Sequence, residues 1–240
     1  MRLVGTALGL SAVLYFAGVL FTDVVRAVLL FYLLPVWTIL AARVLYGEPI
    51  RARQAVVVAA AFVGLWLLLG GGARLPLPRN VGDACALAAG MCWGTSLALL
   101  RGRPATPPYA STAAALLVMT VLGAALAATL AAFAPGAAAR PTADAALDAL
   151  PLALGFGALV LFPALLGQVW GARRVPPATA SLLTMSEILV ATLSAWWLIG
   201  TTLDGPALAG GALVVAAALL DLGLEAGLGP RLRRGARWSG

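Results

Sequence analysis

Long apolar stretches alternate with short polar breaks along almost the whole chain. An apolar stretch of about 17–25 residues is long enough to cross a bilayer as an α-helix. Irregular backbone cannot face hydrocarbon, because its polar groups would lack partners there. The pattern therefore predicts an all-α, polytopic membrane protein with eight transmembrane helices. The predicted spans are 3–21, 25–46, 54–71, 82–100, 110–133, 150–171, 177–199 and 205–224.

The glycines indicate an internal repeat. Three glycines of the first three spans recur in the last three spans at one constant offset of 153 residues. The pairs are Gly18 and Gly171, Gly47 and Gly200, and Gly70 and Gly223. The last three spans therefore correspond to the first three, and the second copy has two further spans before them. An internal repeat in an apolar, multi-span chain is typical of a secondary transporter whose site lies at the repeat interface.

The arginines predict the orientation of the chain. The net charge is +7 and all sixteen basic residues are arginines, most of them in the connectors. One side has Arg2, Arg43, Arg51, Arg53, Arg101, Arg103, Arg173, Arg174, Arg231, Arg233, Arg234 and Arg237, and the other has Arg26, Arg74, Arg79 and Arg140. The richer side is expected in the cytoplasm. We predict an integral protein of the bacterial inner (plasma) membrane with both termini cytoplasmic, in contact with lipid and not with nucleic acid.

Orientation and repeat together predict an inverted topology. The span 3–21 runs outward and its counterpart 150–171 runs inward. Successive spans alternate in direction, so counterparts run in opposite directions only if the repeat contains an odd number of helices, here five. A complete molecule would then have ten helices, and this chain has eight. We therefore expect the first two helices of the first copy to be missing, through a wrongly assigned start, a fragment or a naturally short form.

Several short motifs resemble those of one transporter family in order and spacing. They are Tyr15–Leu20 with Val24–Ala27, Leu34–Val36 with Tyr46–Glu48, Cys92–Ser96 (similar to a Trp-Gly-Ser element), Ser186–Ile188 and Gly200-Thr201. From them the chain is identified as similar to EamA-type exporters of the drug/metabolite transporter superfamily. Two positions depart from the family's pattern. Ser186–Ile188 stands where Glu-Pro is usual, and Gly200-Thr201 stands where Gly-Glu is usual.

The resemblance implies two inverted five-helix halves and an exporter function. The predicted organisation is a partial first repeat over 1–72, a second repeat over 82–224 and a basic tail over 225–240. The expected function is a permease that exports a small metabolite or amino acid by alternating access, with protons as a candidate coupling ion. The alternative is a truncated, non-transporting scaffold or remnant, or a chain that needs a partner, such as a second copy, to complete its cavity.

Glu187 is the one acid well inside a predicted span, ten residues after Pro177. Placing an acid at the centre of a membrane helix costs about 2.5–3.5 kcal/mol on insertion scales, so such residues usually face a cavity or a partner. The functional interpretation is a proton-coupling site or a site for a substrate amine. The structural alternative is a hydrogen bond to a neighbouring helix.

Five uncharged residues complete the predicted substrate site. Gln168 is the counterpart of Tyr15 at the repeat offset, so the two are expected at equivalent depths, where polar tips suit a ligand in an apolar cavity. An interhelical hydrogen bond is the alternative for Gln168. Tyr32, Trp37 and Trp93 are candidates for stacking on a ligand, although packing or lipid contact explains each of them as well.

Two prolines mark places where a span is expected to bend, and one charged pair lies beside a turn between two spans. Pro35 and Pro163 lie inside spans and each removes a backbone hydrogen bond, so they are candidates for hinges or static bends. Asp23 and Arg26 lie three residues apart beside a turn and are expected to pair with each other.

Catalysis and cofactor binding find no support in the sequence. There is no histidine, and the two cysteines, Cys85 and Cys92, lie seven residues apart, about 10 Å along a helix. Neither a metal cluster nor a phosphate-binding loop ending in Gly-Lys-Ser/Thr occurs. We therefore predict no cofactor and no enzymatic activity.

Overall fold

The computed structural model describes residues 2–70, 77–102, 107–133, 142–200 and 204–235. Within these ranges the regular structure is helical. The helices are α1 (Arg2–Phe21), α2 (Val24–Phe31), α3 (Leu34–Tyr46), α4 (Ala52–Leu68), α5 (Val81–Arg101), α6 (Pro108–Phe133), α7 (Ala143–Phe156), α8 (Phe162–Ala172), α9 (Pro177–Ile199) and α10 (Gly205–Gly235). A π-helical turn, Gly157–Leu161, joins α7 to α8.

The predicted polytopic, all-α class is confirmed. In the described part of the chain, seven helical segments are long and apolar enough to cross a membrane. The apolar α4 is shorter, with 17 residues. α2 and α3 count as one segment, Val24–Tyr46, and α7 and α8 contribute to another, Leu147–Ala172. These eight segments coincide with the eight predicted spans.

Some boundaries differ from the prediction. α7 begins at Ala143, seven residues before the predicted start of the span 150–171, so residues 143–149 are part of the same helix. Residues 134–141 lie outside the described residues. α10 continues to Gly235, which makes most of the predicted tail, 225–240, a helical extension of the last span.

Both prolines predicted to disturb a span stand at a break. α2 ends at Phe31 and α3 begins at Leu34, with Pro35 in its first turn. Pro163 occupies the first turn of α8, directly after the π-helical turn. Proline lacks an N–H group and its ring clashes with the preceding turn, so each proline favours a new helical segment at its position.

Glycines bring the central helices into close contact. α1 packs along α5 and α6, while α2 and α3 pack on α5, and α4 packs on α10. An added Cβ at Gly9 would lie 2.5 Å from the Ala115 carbonyl oxygen of α6, and one at Gly90 would lie 2.5 Å from the Phe31 carbonyl oxygen. Small residues are what permits such contact between membrane helices.

The repeat predicted from the glycines has a local structural counterpart. Gly47 and Gly200 end α3 and α9 in the same left-handed conformation, with φ of 67° and 72°. Packing differs between the copies, because Gly18 meets Ala86 of α5 whereas its counterpart Gly171 has no atom within 4 Å of an added Cβ. The division into two repeats stays a prediction.

The described arginines lie at the two ends of the bundle. Arg43, Arg51, Arg53, Arg101, Arg173 and Arg174 are at the end where α3, α5 and α8 finish, here called the arginine-rich end. Arg26 and Arg79 are at the opposite, arginine-poor end, where α1 finishes and α5 begins.

Replacing Gly47 by alanine tests the left-handed helix end. A residue with a Cβ in this conformation costs roughly 1–2 kcal/mol, and nothing lies within 4 Å that would add a clash. We expect Gly47→Ala to lower the free energy of unfolding by about 1 kcal/mol, measured by denaturant titration in detergent. An unchanged midpoint would contradict the assignment. Gly123→Ala is the control, since Gly123 lies inside α6 with open space around it.

Candidate functional site

A polar pair joins α8 to α9. The Gln168 side-chain amide donates a hydrogen bond of 2.9 Å to the Glu187 carboxylate. Glu187 lies ten residues after Pro177, which is about 15 Å along the helix axis. That is half the thickness of a bilayer core of roughly 30 Å. Glu187 therefore lies halfway along α9, whereas Gln168 lies four residues before the end of α8, about 6 Å from it. The Glu187 side chain is exposed in the structure, so the pair faces outward from the packed core.

The pair lines a cavity between α8, α9 and α5. The cavity has a volume of about 580 Å³, within the usual range for small-molecule sites. Lining residues include Leu97, Gln168, Gly171, Arg174, Thr184 and Glu187. Because Arg174 follows the end of α8 and Glu187 lies in the middle of α9, the cavity extends from the arginine-rich end to the membrane centre.

Arg174 lines the cavity where it reaches the arginine-rich end, and Arg173 precedes it in the chain. The Arg174 guanidinium lies 3.3 Å from the centre of the Trp170 ring, and its Nη1 donates a 2.8 Å hydrogen bond to the Trp170 carbonyl oxygen. Arg173 Nη2 is 3.5 Å from the Ser111 hydroxyl of α6. Burial lowers the pKa of Arg173, yet an arginine stays cationic. The cavity is thus lined by a cation, Arg174, toward the arginine-rich end and by an acid, Glu187, beside the middle of α9.

The predicted aromatic residues divide into two groups. Tyr15, Tyr32 and Trp93 surround Phe31, with ring centres 4.9, 5.3 and 6.2 Å from that of Phe31. Among the described residues, no ring contact links Trp37 to this cluster. The structure therefore brings three of the four predicted aromatic residues together.

Tyr32 belongs to the aromatic cluster and is not among the residues that line the cavity. It caps the end of α2 and is buried. The indole Nε1 atoms of Trp37 and Trp93 are buried without a hydrogen-bond partner. A buried, unpaired donor is costly, so both indoles are able to donate to a ligand or a water molecule.

Sequence reasoning missed two residues. Phe31 stands at the centre of the aromatic cluster, but a phenylalanine in an apolar run carries no distinguishing signal. Asp83 was assigned to the edge of a span, although its side chain is fully buried.

The expected Asp23–Arg26 pairing of side chains is wrong. The Arg26 guanidinium binds Asp83, and the Asp23 carboxylate accepts from the Arg26 backbone N–H instead, at 3.2 Å, because that geometry caps α2.

Membrane-spanning helices around a cavity lined by polar side chains are the arrangement expected of a transport protein. The model of the EamA-like transporter family matches residues 2–70 and 80–222. The chain therefore belongs to the EamA-like transporter family, whose members are membrane transporters of the drug/metabolite type. This confirms the resemblance seen in the sequence motifs.

A solved structure shares the fold. It is described only as "Crystal structure of protein" and is 19% identical, with a TM-score of 0.63 over 91% of this chain and 87% of that one. At this identity the likeness concerns the fold alone. The comparison with curated proteins finds no match. Within the described residues, no group of three or more His, Cys, Asp or Glu side chains is placed to hold a metal ion.

Proposed function

We propose that the protein is a secondary transporter that exports a small metabolite or amino acid by alternating access. The observation that carries the proposal is the Gln168–Glu187 pair, which lines a cavity between membrane-spanning helices and holds an acid halfway along α9. An acid inside a membrane-spanning helix costs free energy, so its presence points to a role that an apolar packing residue could not fill.

The chemistry of the cavity favours a substrate with a protonated amine. The Glu187 carboxylate is acceptor-only when ionised, and Gln168 orients it by donating to Oε1. A substrate ammonium, or a proton exchanged for it, would neutralise this charge during passage. The apolar residues that line the cavity, among them Leu97, Val175 and Leu183, would contact the rest of the substrate.

The cavity also supports one direction of access. It reaches the arginine-rich end, which the distribution of arginines predicts to be cytoplasmic. A cavity open to the cytoplasm is the loading state of an exporter. The bacterial inner membrane and cytoplasmic termini belong to the same proposal.

Filling the cavity tests the proposal. Gly171 lines it, and an added Cβ there has no atom within 4 Å, so Gly171→Phe should occupy the cavity without disturbing the packing. We expect the full chain in proteoliposomes to accumulate labelled amino acids or small amines by counterflow. We expect Gly171→Phe to reduce that flux at least about tenfold, since the cavity is close to the volume of a small ligand.

The matched control is Gly155→Phe on α7, which also has open space around its Cβ but does not line this cavity. Its flux should equal that of the unaltered chain. Equal flux in both variants would show that the substrate does not pass through this cavity. No flux of any tested solute in the unaltered chain would favour the alternative of a non-transporting scaffold.

A further inference from the structure

A buried ionic network closes the arginine-poor end of the bundle. The Asp83 carboxylate, in the first turn of α5, is completely buried. It accepts hydrogen bonds from the Thr22 hydroxyl at 2.7 Å, from Arg26 Nε at 3.3 Å and from the Arg79 backbone N–H at 2.9 Å. Arg26 Nη2 binds its second oxygen and also donates to the Leu77 carbonyl oxygen at 3.1 Å.

The network joins segments that are distant in the chain. Arg26 and Asp83 are 57 residues apart, and they connect the α1–α2 turn to the start of α5. The Asn80 side-chain NH2 group donates a hydrogen bond of 3.1 Å to the Thr22 hydroxyl. The Asn80 side-chain carbonyl accepts from the Asp83 backbone N–H and so caps α5. Gly82 permits close contact, because an added Cβ would lie 2.6 Å from the Phe21 carbonyl carbon.

At the opposite end of the bundle, the contacts of the corresponding residues are of a different kind. Thr179 occupies the position that corresponds to Arg26 at the repeat offset, and its hydroxyl donates to Asp221 of α10 at 2.5 Å. The ion pair between Arg101 and Glu48 is 3.3 Å long, but both side chains are substantially exposed, by 47% and 38%. An exposed pair contributes little to stability, whereas breaking a buried pair leaves an uncompensated charge.

The short helix α2 is the element that the network holds in place. It has eight residues and lies between the Thr22–Asp23 turn and the break at Tyr32–Leu33. Ala27 and Leu30 of α2 pack against Ala86 of α5. At its far end α2 carries Phe31, the centre of the aromatic cluster. A movement of α2 would therefore open the arginine-poor end and change the cluster at the same time.

We infer that the Arg26–Asp83 pair is the latch of a gate at the arginine-poor end, with α2 as the moving element and the Tyr32–Leu33 break as its hinge. The inference rests on the proposed transport function. In the state seen here, the latch is closed while the cavity reaches the other end, as alternating access requires. Opening toward the arginine-poor side needs the latch to break.

Chemical accessibility of a single thiol tests the latch without requiring a substrate. Both native thiols are removed as Cys85→Ala and Cys92→Ala, and Leu30→Cys places a reporter on the buried face of α2, where Leu30 is 1% exposed. A membrane-impermeant maleimide is added to each side of sealed vesicles holding the full chain. We expect Arg26→Gln or Asp83→Asn to accelerate labelling at least about tenfold from the arginine-poor side, and Arg26→Lys to restore part of the protection.

Two controls keep the result interpretable. Glu48→Gln removes the exposed ion pair at the other end and should leave the labelling rate of the Leu30→Cys reporter unchanged. Leu65→Cys places a second reporter in the core of α4, where Leu65 is fully buried, and it should stay protected in every variant. Faster labelling of both reporters would show that the pair stabilises the whole fold and is not a latch.

An unchanged rate for the Leu30→Cys reporter in Arg26→Gln and Asp83→Asn would also overturn the inference. Either failure leaves the cavity-filling result of Gly171→Phe intact, because that experiment measures flux through the cavity. Conversely, a chain without measurable flux could still show latch-dependent labelling. The two proposals therefore fail separately.

Discussion

Glu187→Gln is expected to abolish most of the transport activity while leaving the fold intact. The substitution keeps the shape of the side chain and one acceptor oxygen but removes its charge. A hydrogen bond that involves a charged group is worth about 1.5–3 kcal/mol. At 1.4 kcal/mol for each factor of ten, loss of that interaction with a substrate ammonium weakens binding by roughly 10–100-fold.

The measurement is counterflow in proteoliposomes over a range of substrate concentrations and at several pH values. If Glu187 exchanges a proton for substrate, the residual flux of Glu187→Gln should no longer depend on the pH difference across the membrane. The midpoint of unfolding should shift by little, because Gln168 can still hydrogen bond to the substituted amide.

Glu48→Gln is the matched control, since it removes the charge of an exposed glutamate outside the cavity. Its flux should match that of the unaltered chain. Full transport by Glu187→Gln at every pH would contradict the role of Glu187 and would leave the interhelical hydrogen bond to Gln168 as its sole function.

Gly94→Leu is expected to destabilise the fold severely. An added Cβ at Gly94 would lie 2.7 Å from the Leu34 carbonyl oxygen and 2.9 Å from the Thr38 backbone nitrogen. Both neighbours are backbone atoms of α3, so a side chain cannot be accommodated by a rotamer change. Overpacking a core costs about 1–3 kcal/mol, occasionally more, and separating two helices at their crossing belongs at the upper end.

The total stability of a domain is about 5–15 kcal/mol, so a loss of at least roughly 3 kcal/mol should sharply reduce the yield of folded protein. Thermal unfolding in detergent and the monodisperse fraction measure the effect. Gly123→Leu is the control on α6, because no atom lies within 4 Å of an added Cβ there. Equal stability of the two variants would contradict the close α3–α5 packing.

Local rules explain why the helices were predictable. Each span is an apolar run of membrane length, and a helix satisfies its backbone hydrogen bonds without reference to distant residues. The helix ends at Gly47 and Gly200 follow from the same locality, since only glycine adopts the left-handed conformation at little cost. Pro35 marked the start of α3 because a proline cannot continue the preceding turn. These features lie on single stretches of sequence.

The site was predictable in part. Glu187 and Gln168 were found because a polar residue inside an apolar run is conspicuous, and the structure joins them across α8 and α9. Their role in transport stays a prediction. Phe31 was missed because its importance lies in the three rings around it, which come from α1, the end of α2 and α5.

The sequence by itself determined the membrane class, the spans, the glycine repeat and the family, because each depends on composition or spacing along the chain. Only the tertiary structure decided which side chains meet. Arg26 has Asp23 three residues away, yet its guanidinium binds Asp83, since α5 brings a buried carboxylate that needs a cation to offset its desolvation. Spacing along the chain predicts local partners, whereas burial, which depends on helix packing, selects the partner that is bound.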